Sequence, residues 1–235
     1  MNHDLLVLRM RGPSFVQLNT EATVNTTVLN MGNSNESGVT VELLVNGTVA
    51  NSSAIGLLES GASEIVSLSW NGTVEGVYNV TAYVLPVAGE TSIENNAFST
   101  QVLCKSPQII RVPSDYGTIQ GAVNAANEGD TILVASGTYH ENVQIVTSGL
   151  TIIGENKTST VIDGGGKANV VSVTADKVEI DGFTIQNGGK DNVGISLLGS
   201  DANTINNTVI IGNTYGLFLD TSPSTTARNN AITNN

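Results

Sequence analysis

The chain has 235 residues, 40% of them hydrophobic, and a formal net charge of −12 at neutral pH. This length allows one large domain or two ordinary domains, each with a hydrophobic core. The sequence has no cluster of basic residues, and without one a protein cannot release counterions from a nucleic acid, so a nucleic-acid-binding protein is excluded. The single cysteine, Cys104, excludes an internal disulfide framework and a cysteine-based zinc site. We expect Cys104 to be a small structural residue at the end of a strand.

Composition also favours an all-β extracellular protein. Aromatic residues make up only 4% and charged residues 13% of the chain, whereas Asn, Ser, Thr and Gly are abundant. In the first hundred residues, short segments alternate apolar and polar side chains between Gly- and Asn-rich turns. About seven strands of an antiparallel sandwich are therefore predicted. The segments are 4–10, 22–30, 39–45, 63–70, 76–85 and 97–103.

Residues 1–104 resemble the CARDB family, an immunoglobulin-like module of prokaryotic surface proteins. The resemblance rests on the opening Asp4-Leu5, on Asn30-Met31-Gly32-Asn33, on Trp70, on Gly76-Val77-Tyr78 and on Glu94-Asn95-Asn96. It implies a spacer or adhesion unit without catalytic residues. Two roles are open for Trp70, packing in the hydrophobic core and stacking on a sugar, and we expect it in the core.

After Cys104-Lys105-Ser106-Pro107 the periodicity changes. One small amphipathic helix is predicted at 118–127, with Thr118 as its N-cap and Gly129 as its C-terminal stop. Its apolar stripe consists of Ile119, Ala122, Val123 and Ala126.

The last forty residues contain a repeat with an offset of 22 residues. Gly194–Asn213 and Gly216–Asn235 align. A unit this short cannot enclose a core, but stacked copies bury their apolar residues against each other. We predict a coil with three short parallel strands per turn and four to five turns. Asn residues are expected at equivalent corners of successive coils. The predicted helix is expected to cover the first coil. The matched pairs are 194 and 216, 195 and 217, 197 and 219, 207 and 229, 210 and 232, and 213 and 235.

Residues 108–235 resemble the right-handed parallel β-helix proteins of the pectin-lyase-like superfamily, in particular NosD-type repeat proteins and the opening section of pectin methylesterases. The segments that carry this resemblance are 118–123, 129–132, 137–143 and 150–154. The expected architecture is therefore all-β: an Ig-like β-sandwich at 1–104, followed at 108–235 by a right-handed parallel β-helix with a short N-terminal capping helix. We expect this second domain to continue beyond Asn235, because no residues cover its last coil.

Catalysis is not expected within this chain. Pectin methylesterases need paired aspartates and an arginine. The chain has the stretch 181–187 but lacks the later Asp-Phe-Ile-Phe-Gly segment, and Arg228 lies in a turn that does not resemble the family's arginine motif.

Lyases of this fold hold calcium with carboxylates on adjacent coils. Calcium is accordingly the one cofactor left open, although we favour turn and surface roles for the candidates. These candidates are Asp163, Asp176, Glu179 and Asp181, with Lys177 as a nearby base.

His140 and Glu141 are a candidate acid/base pair, but we expect them to shape the first coil.

Eight Asn-x-Ser/Thr sequons, six of them in the first 104 residues, suggest a glycosylated surface. The sequons start at Asn25, Asn35, Asn46, Asn51, Asn71, Asn79, Asn156 and Asn206.

These observations predict an extracellular structural or adhesion protein of the cell surface, in contact with envelope polysaccharide or neighbouring surface proteins. The chain has no run of 18 apolar residues and no leader, so we expect its export signal and anchor to lie outside it. Two alternatives stay open. One is a polysaccharide lyase or hydrolase of the pectin-lyase-like superfamily, and the other is a surface-layer or filament subunit that self-associates end to end.

Overall fold

A computed structural model describes residues 2–235. The chain forms two compact units, the first ending at Ser106 and the second beginning at Pro107. Each unit has a hydrophobic core of its own.

The first unit is a sandwich of two sheets. The three-stranded sheet has the order β1-β3-β6 and the five-stranded sheet the order β2-β8-β7-β4-β5, antiparallel except for the β2–β8 pair. The strands are β1 (Leu5–Arg11), β2 (Phe15–Gln17), β3 (Glu21–Asn30), β4 (Glu36–Val45), β5 (Thr48–Leu58), β6 (Ser63–Asn71), β7 (Gly76–Val84) and β8 (Ala97–Lys105).

The core of this unit follows from strand alternation. In β3 every second residue is buried, including Val24 and Val28, as expected for a sheet with one face on the core. Trp70 is only 5% exposed, and its ring centroid lies 5.1 Å from that of Tyr78. The predicted core position of Trp70 is therefore confirmed. Cys104 is fully buried near the end of β8, also as predicted.

Two strands of the sandwich were missed by the pattern analysis. In β5 only Ile55 and Leu58 are buried, because this edge strand pairs with β4 alone within the five-stranded sheet. The short β2 was also missed. Edge strands lack the alternation that reveals a strand covered on one face.

The second unit is a coil of short parallel strands, which confirms the predicted β-solenoid. Its three sheets have the orders β9-β10-β13-β16-β19-β22, β11-β14-β17-β20-β23 and β12-β15-β18-β21, and the chain visits them in turn for about five coils. The elements are β9 (Ile109–Val112), α1 (Ile119–Ala125), β10 (Thr131–Val134), β11 (Gly137–Tyr139), β12 (Val143–Ile145), β13 (Thr151–Gly154), β14 (Thr160–Asp163), β15 (Val171–Val173), β16 (Glu179–Asp181), β17 (Thr184–Gln186), β18 (Val193–Leu198), β19 (Thr204–Asn206), β20 (Val209–Ile211), β21 (Tyr215–Asp220), β22 (Thr226–Arg228) and β23 (Ala231–Thr233).

The 22-residue repeat sets the register of the last two coils. Ile195 pairs with Leu217, and Ile210 pairs with Ile232, as predicted. Each such pair places an aliphatic side chain directly above its equivalent, so the core continues from coil to coil. The predicted amide ladder is also present, since the Nδ2 of Asn213 donates to the Oδ1 of Asn235 at 3.0 Å.

One corner of the coil uses left-handed backbone, as the repeated asparagines predict. Asn207 has φ of 48° and Asn229 has φ of 56°, and both are residue types that tolerate this conformation. In the preceding coil Gly182 has φ of 79°. A Cβ there would collide with the backbone carbonyl oxygen of Gly154, so only glycine fits this corner.

Helix α1 covers the first coil. Its four predicted stripe residues are at most 8% exposed, and the helix packs on β9, β10 and β12. Thr118 is the N-cap, and its Oγ1 accepts the backbone N–H of Gly121 at 3.0 Å. The predicted stop is wrong: α1 ends at Ala125, and Gly129 lies in the following turn. The N–H of Ala126 still bonds back to the carbonyls of Ala122 and Val123, but its extended backbone ends the helix there.

Candidate functional site

A groove of about 630 Å³ lies on the outer face of the β12-β15-β18-β21 sheet, and we call it the Tyr215 groove. Its apolar part consists of Tyr215, Phe218, Val193 and Leu198. Its polar part consists of Asn169, Asp191, Asn192 and Ser196.

The parallel register places the two aromatic rings in this groove. Phe218 pairs with Ser196 of the coil before, while the neighbouring Ile195, Leu197 and Leu217 pack in the core. Because side chains alternate across a strand, Phe218 points outward. Tyr215 opens β21 opposite Val193. Tyr215 is 56% exposed and Phe218 is 46% exposed, so each ring has a free face.

One wall of the groove is the loop between β17 and β18. Asn187, Gly189 and Asp191 all have positive φ in this loop. A side chain at Gly189 would collide with the backbone of Gly166 in the coil before, so the loop needs glycine at this point. The hydroxyl of Thr214 fixes the loop, donating to the carbonyl of Gly189 at 2.8 Å and accepting the N–H of Asp191 at 3.0 Å.

Three polar side chains keep hydrogen-bonding capacity toward the groove. Within residues 2–235 the carboxylate of Asp191 has no hydrogen-bond or ion-pair partner. The Nδ2 of Asn192 donates to the carbonyl of Lys190 at 3.1 Å, which leaves its Oδ1 as an acceptor. The Oδ1 of Asn169 accepts the N–H of Val193 at 2.9 Å, which leaves its Nδ2 as a donor.

This arrangement suits binding better than acid/base chemistry. Exposed aromatic faces pack against the apolar faces of flat or ring-shaped ligands, and the polar rim can orient them by hydrogen bonds. Asp191 is the only ionisable carboxylate in the lining, whereas hydrolysis of glycosidic bonds uses a pair.

A second groove, of about 370 Å³, lies over Leu133 and Ile153 on the six-stranded sheet. Its charged members are Arg111 and Glu155. The carboxylate of Glu155 accepts the N–H of Ser136 at 2.8 Å, and this hydrogen bond lowers the pKa of Glu155. Glu155 therefore has a structural partner, and this groove lacks the exposed aromatic faces of the first.

The structure does not bring the four calcium candidates together. Glu179 and Asp181 lie on β16, Asp163 ends β14 on another sheet, and Asp176 lies in a turn, where its Oδ1 accepts the N–H of Asp201 at 2.7 Å. No group of three His, Cys, Asp or Glu side chains suited to a metal occurs in the described part of the chain.

Two of the three aspartates among these candidates, Asp163 and Asp181, have side-chain amide partners instead. Asp163 accepts from Gln186, from Asn187 and from the N–H of Gly165, each at 2.9 Å. Asp181 accepts the Nδ2 of Asn206 at 2.6 Å. Burial raises the pKa of Asp163, but these three hydrogen bonds, from Gln186 first, hold it below its ordinary value.

Glu141 and His140 occupy different environments. The carboxylate of Glu141 accepts the backbone N–H groups of Ile119 at 2.9 Å and Gln120 at 2.8 Å, so it caps the first turn of α1. His140 is largely exposed, with its Nδ1 4.0 Å from an oxygen of Asp163. The expected role of Glu141 in shaping the first coil is therefore confirmed.

The eight sequons differ in accessibility. Six of the asparagines are exposed, whereas Asn51 and Asn206 are half-buried. The Nδ2 of Asn51 donates to the carbonyl of Ser69, and that of Asn206 donates to Asp181. The exposed ones are Asn25, Asn35, Asn46, Asn71, Asn79 and Asn156.

The Tyr215 groove was not predicted from the sequence. A signal was present, because the chain has only five Tyr and four Phe, and the 22-residue repeat places one of them, Phe218, where the previous unit has Ser196. Tyr215 and Phe218 lie three residues apart and are both exposed, and neighbouring exposed apolar side chains mark a candidate binding surface.

Comparison with known proteins matches each unit separately. Residues 2–100 match the CARDB family, and residues 123–235 match the family described as periplasmic copper-binding protein (NosD). No curated protein was found to match the chain. No helix within residues 2–235 has the length and apolar character needed to cross a bilayer.

Three solved structures illustrate the likeness. A CARDB domain from Pyrococcus furiosus, solved in complex with di-metal ions, is 26% identical, with a TM-score of 0.40, covering 44% of this chain and 94% of that one. A domain of a cell surface protein from Methanosarcina acetivorans is 31% identical, with a TM-score of 0.39, covering 44% and 93%. Pectin methylesterase from Erwinia chrysanthemi is 18% identical, with a TM-score of 0.40, covering 48% and 45%.

The two family matches coincide with the sandwich and with most of the solenoid. The chain therefore has a CARDB domain at residues 2–100, followed by a NosD domain at residues 123–235 that is built as a solenoid of parallel strands.

Proposed function

We propose that this chain is part of a cell-surface or periplasmic protein in which the β-helix contacts carbohydrate through the Tyr215 groove and performs no catalysis. The CARDB domain then acts as a spacer or adhesion unit. The NosD description as periplasmic and the cell-surface description of the Methanosarcina relative support this location.

The observation that carries the proposal is the pair of exposed rings, Tyr215 and Phe218, beside unpaired polar groups. Sugars present an apolar C–H face and a ring of hydroxyls. Aromatic side chains pack on the C–H face of a sugar, while carboxylate and amide groups form hydrogen bonds with its hydroxyls. A shallow open groove suits a polymer that passes across it.

Copper binding, which the NosD description names, does not fit this chain. Copper sites in proteins use thiolate, thioether or several imidazole ligands. Residues 107–235 contain one histidine, His140, and no cysteine or methionine. We therefore assign no copper site to the β-helix.

The test is binding of envelope polysaccharide fragments, measured by calorimetry on the intact chain. We expect Tyr215→Ala and Phe218→Ala each to weaken binding at least about tenfold, because each removes a stacking face. Tyr116→Ala and Phe98→Ala are matched controls, since both side chains are exposed outside the groove. Equal losses in the control variants, or no binding at all, would contradict the proposal.

End-to-end self-assembly stays the alternative proposal. Sedimentation velocity over a hundredfold range of concentration tests it. A concentration-dependent polymer that Ile232→Glu abolishes would favour self-assembly, and a monomer throughout would exclude it.

A further inference from the structure

We infer that the Tyr215 groove accepts neutral sugars and discriminates against polyuronates, an inference that rests on the proposed function. The lining has one negative charge and mainly hydrogen-bond acceptors.

Asp191 is the only charged residue that lines the groove, and no Lys, Arg or His lines it. Proteins that bind carboxylates use Arg or Lys to form charge-assisted hydrogen bonds. A uronate entering this groove would meet a like charge without a cationic partner.

Beyond the lining itself, the charged residues within two sequence positions of a lining residue are Lys167, Lys190 and Asp220. Together with Asp191 their formal charges sum to zero, so they supply no net attraction for an anion. Over residues 107–235 the sequence has six Lys or Arg and twelve Asp or Glu, a formal charge of −6. The wider field of this domain therefore also opposes a polyanion.

The carboxylate of Asp191 and the Oδ1 of Asn192 are acceptors, and the Nδ2 of Asn169 is the complementary donor. Hydroxyls and the N–H of an acetamido group donate to such acceptors, whereas a uronate carboxylate brings acceptors alone. An acceptor-rich rim thus matches a neutral hexose or N-acetylhexosamine.

The experiment compares two probes on the intact chain, a hexamer of N-acetylglucosamine and a hexamer of galacturonate. Calorimetry at low ionic strength gives the dissociation constants, because salt screens the effect. We expect the neutral hexamer to bind at least about tenfold tighter, and Tyr215→Ala to weaken its binding.

Charge substitutions test the cause. Asp191→Lys should shift the preference toward galacturonate by about tenfold or more, and Asp191→Asn should give a smaller shift in the same direction. Glu94→Lys, an exposed site in the CARDB domain, makes the same change of net charge away from the groove and should leave the preference unchanged. NMR shifts of the Tyr215 and Phe218 rings in the wild-type chain locate the binding without any substitution.

The possible outcomes are distinct. Galacturonate binding as tightly as the neutral hexamer, with loss in Tyr215→Ala, would overturn this inference while upholding the proposed function. A preference unaffected by Asp191→Lys would also overturn it. Failure of both hexamers to bind would overturn the proposed function and the inference together.

Discussion

The carboxylate of Glu141 accepts the backbone N–H of Ile119 at 2.9 Å, which joins the segment after β11 to the first turn of the capping helix. Its second oxygen accepts the N–H of Gln120 at 2.8 Å. These are two of the N–H groups that a helix leaves unpaired at its start, so one side chain fixes the cap on the first coil.

Replacing Glu141 should therefore destabilise the β-helix. We expect Glu141→Ala to lower the free energy of unfolding by about 1–2 kcal/mol, the usual loss for an N-terminal helix cap. Urea unfolding followed by circular dichroism measures this change. Asp220→Ala, an exposed carboxylate on β21, is the control and should stay within about 0.5 kcal/mol of wild type. An equal effect of the two substitutions would show that Glu141 does not hold the cap.

Asp163 should make stability depend on pH. Burial raises its pKa, but the hydrogen bonds from Gln186, Gly165 and Asn187 outweigh burial and leave the folded-state pKa low. Because this pKa lies below the unfolded value of about 3.9, the ionised carboxylate stabilises the fold above that pH. The contribution is lost as the pH falls through the folded-state pKa.

The measurement is the destabilisation caused by Asp163→Asn, obtained from urea unfolding at pH 6 and at pH 3. We expect a larger difference from wild type at pH 6 than at pH 3. Asp220→Asn, the same substitution at an exposed aspartate, serves as the control and should change stability little at either pH. A destabilisation by Asp163→Asn that is the same at both pH values would refute the role of the carboxylate charge.

Gly194 occupies a position where the coils approach each other closely. A Cβ there would lie 2.6 Å from the Cγ2 of Ile210 and 2.7 Å from the carbonyl oxygen of Gly216. We expect Gly194→Ala to destabilise the β-helix by about 1–3 kcal/mol through overpacking. Gly117→Ala is the matched control, because a Cβ at Gly117 meets no atom within 4 Å. The melting temperatures of the two variants compare them, and similar values would contradict close packing at Gly194 in β18.

The sequons should differ in their reactivity in the folded protein. The Nδ2 of Asn206 donates to the Oδ2 of Asp181 at 2.6 Å, whereas Asn71 is exposed with its Thr73 also exposed. We expect an oligosaccharyltransferase with a lipid-linked glycan donor to modify Asn71 and leave Asn206 unmodified, as read by peptide mass spectrometry. Asp181→Ala frees the Asn206 amide and serves as the comparison. Modification of Asn206 in the wild-type folded chain would count against the hydrogen bond.

The fold was largely predictable because both of its patterns are local. Alternation along β3 and β4 depends only on which residues face the core, and the repeat at 22 residues depends on identical units stacking in register. The edge strand β5 escaped detection because most of its side chains are exposed on both faces. Similarly, the end of α1 was placed too late, since Ala126 belongs to the apolar stripe yet has extended backbone.

Which of the candidate carboxylates lie close together could not be predicted from their positions in the sequence. Asp163 and Asp181 both precede glycine, but the coil assigns them to different sheets, with separate amide partners. Sequence spacing alone does not specify which face of the coil a strand occupies, because turn lengths between the strands vary.

By itself, the sequence determined the two domains' architecture and the pairing of Ile195 with Leu217, since burial of short apolar segments in a repeat has one solution, in-register stacking. Only the tertiary structure decided that Tyr215, Phe218, Asp191 and Asn169 share one groove. They belong to three successive coils and converge because each coil advances by only one strand spacing, so residues distant in the chain become neighbours across the sheet.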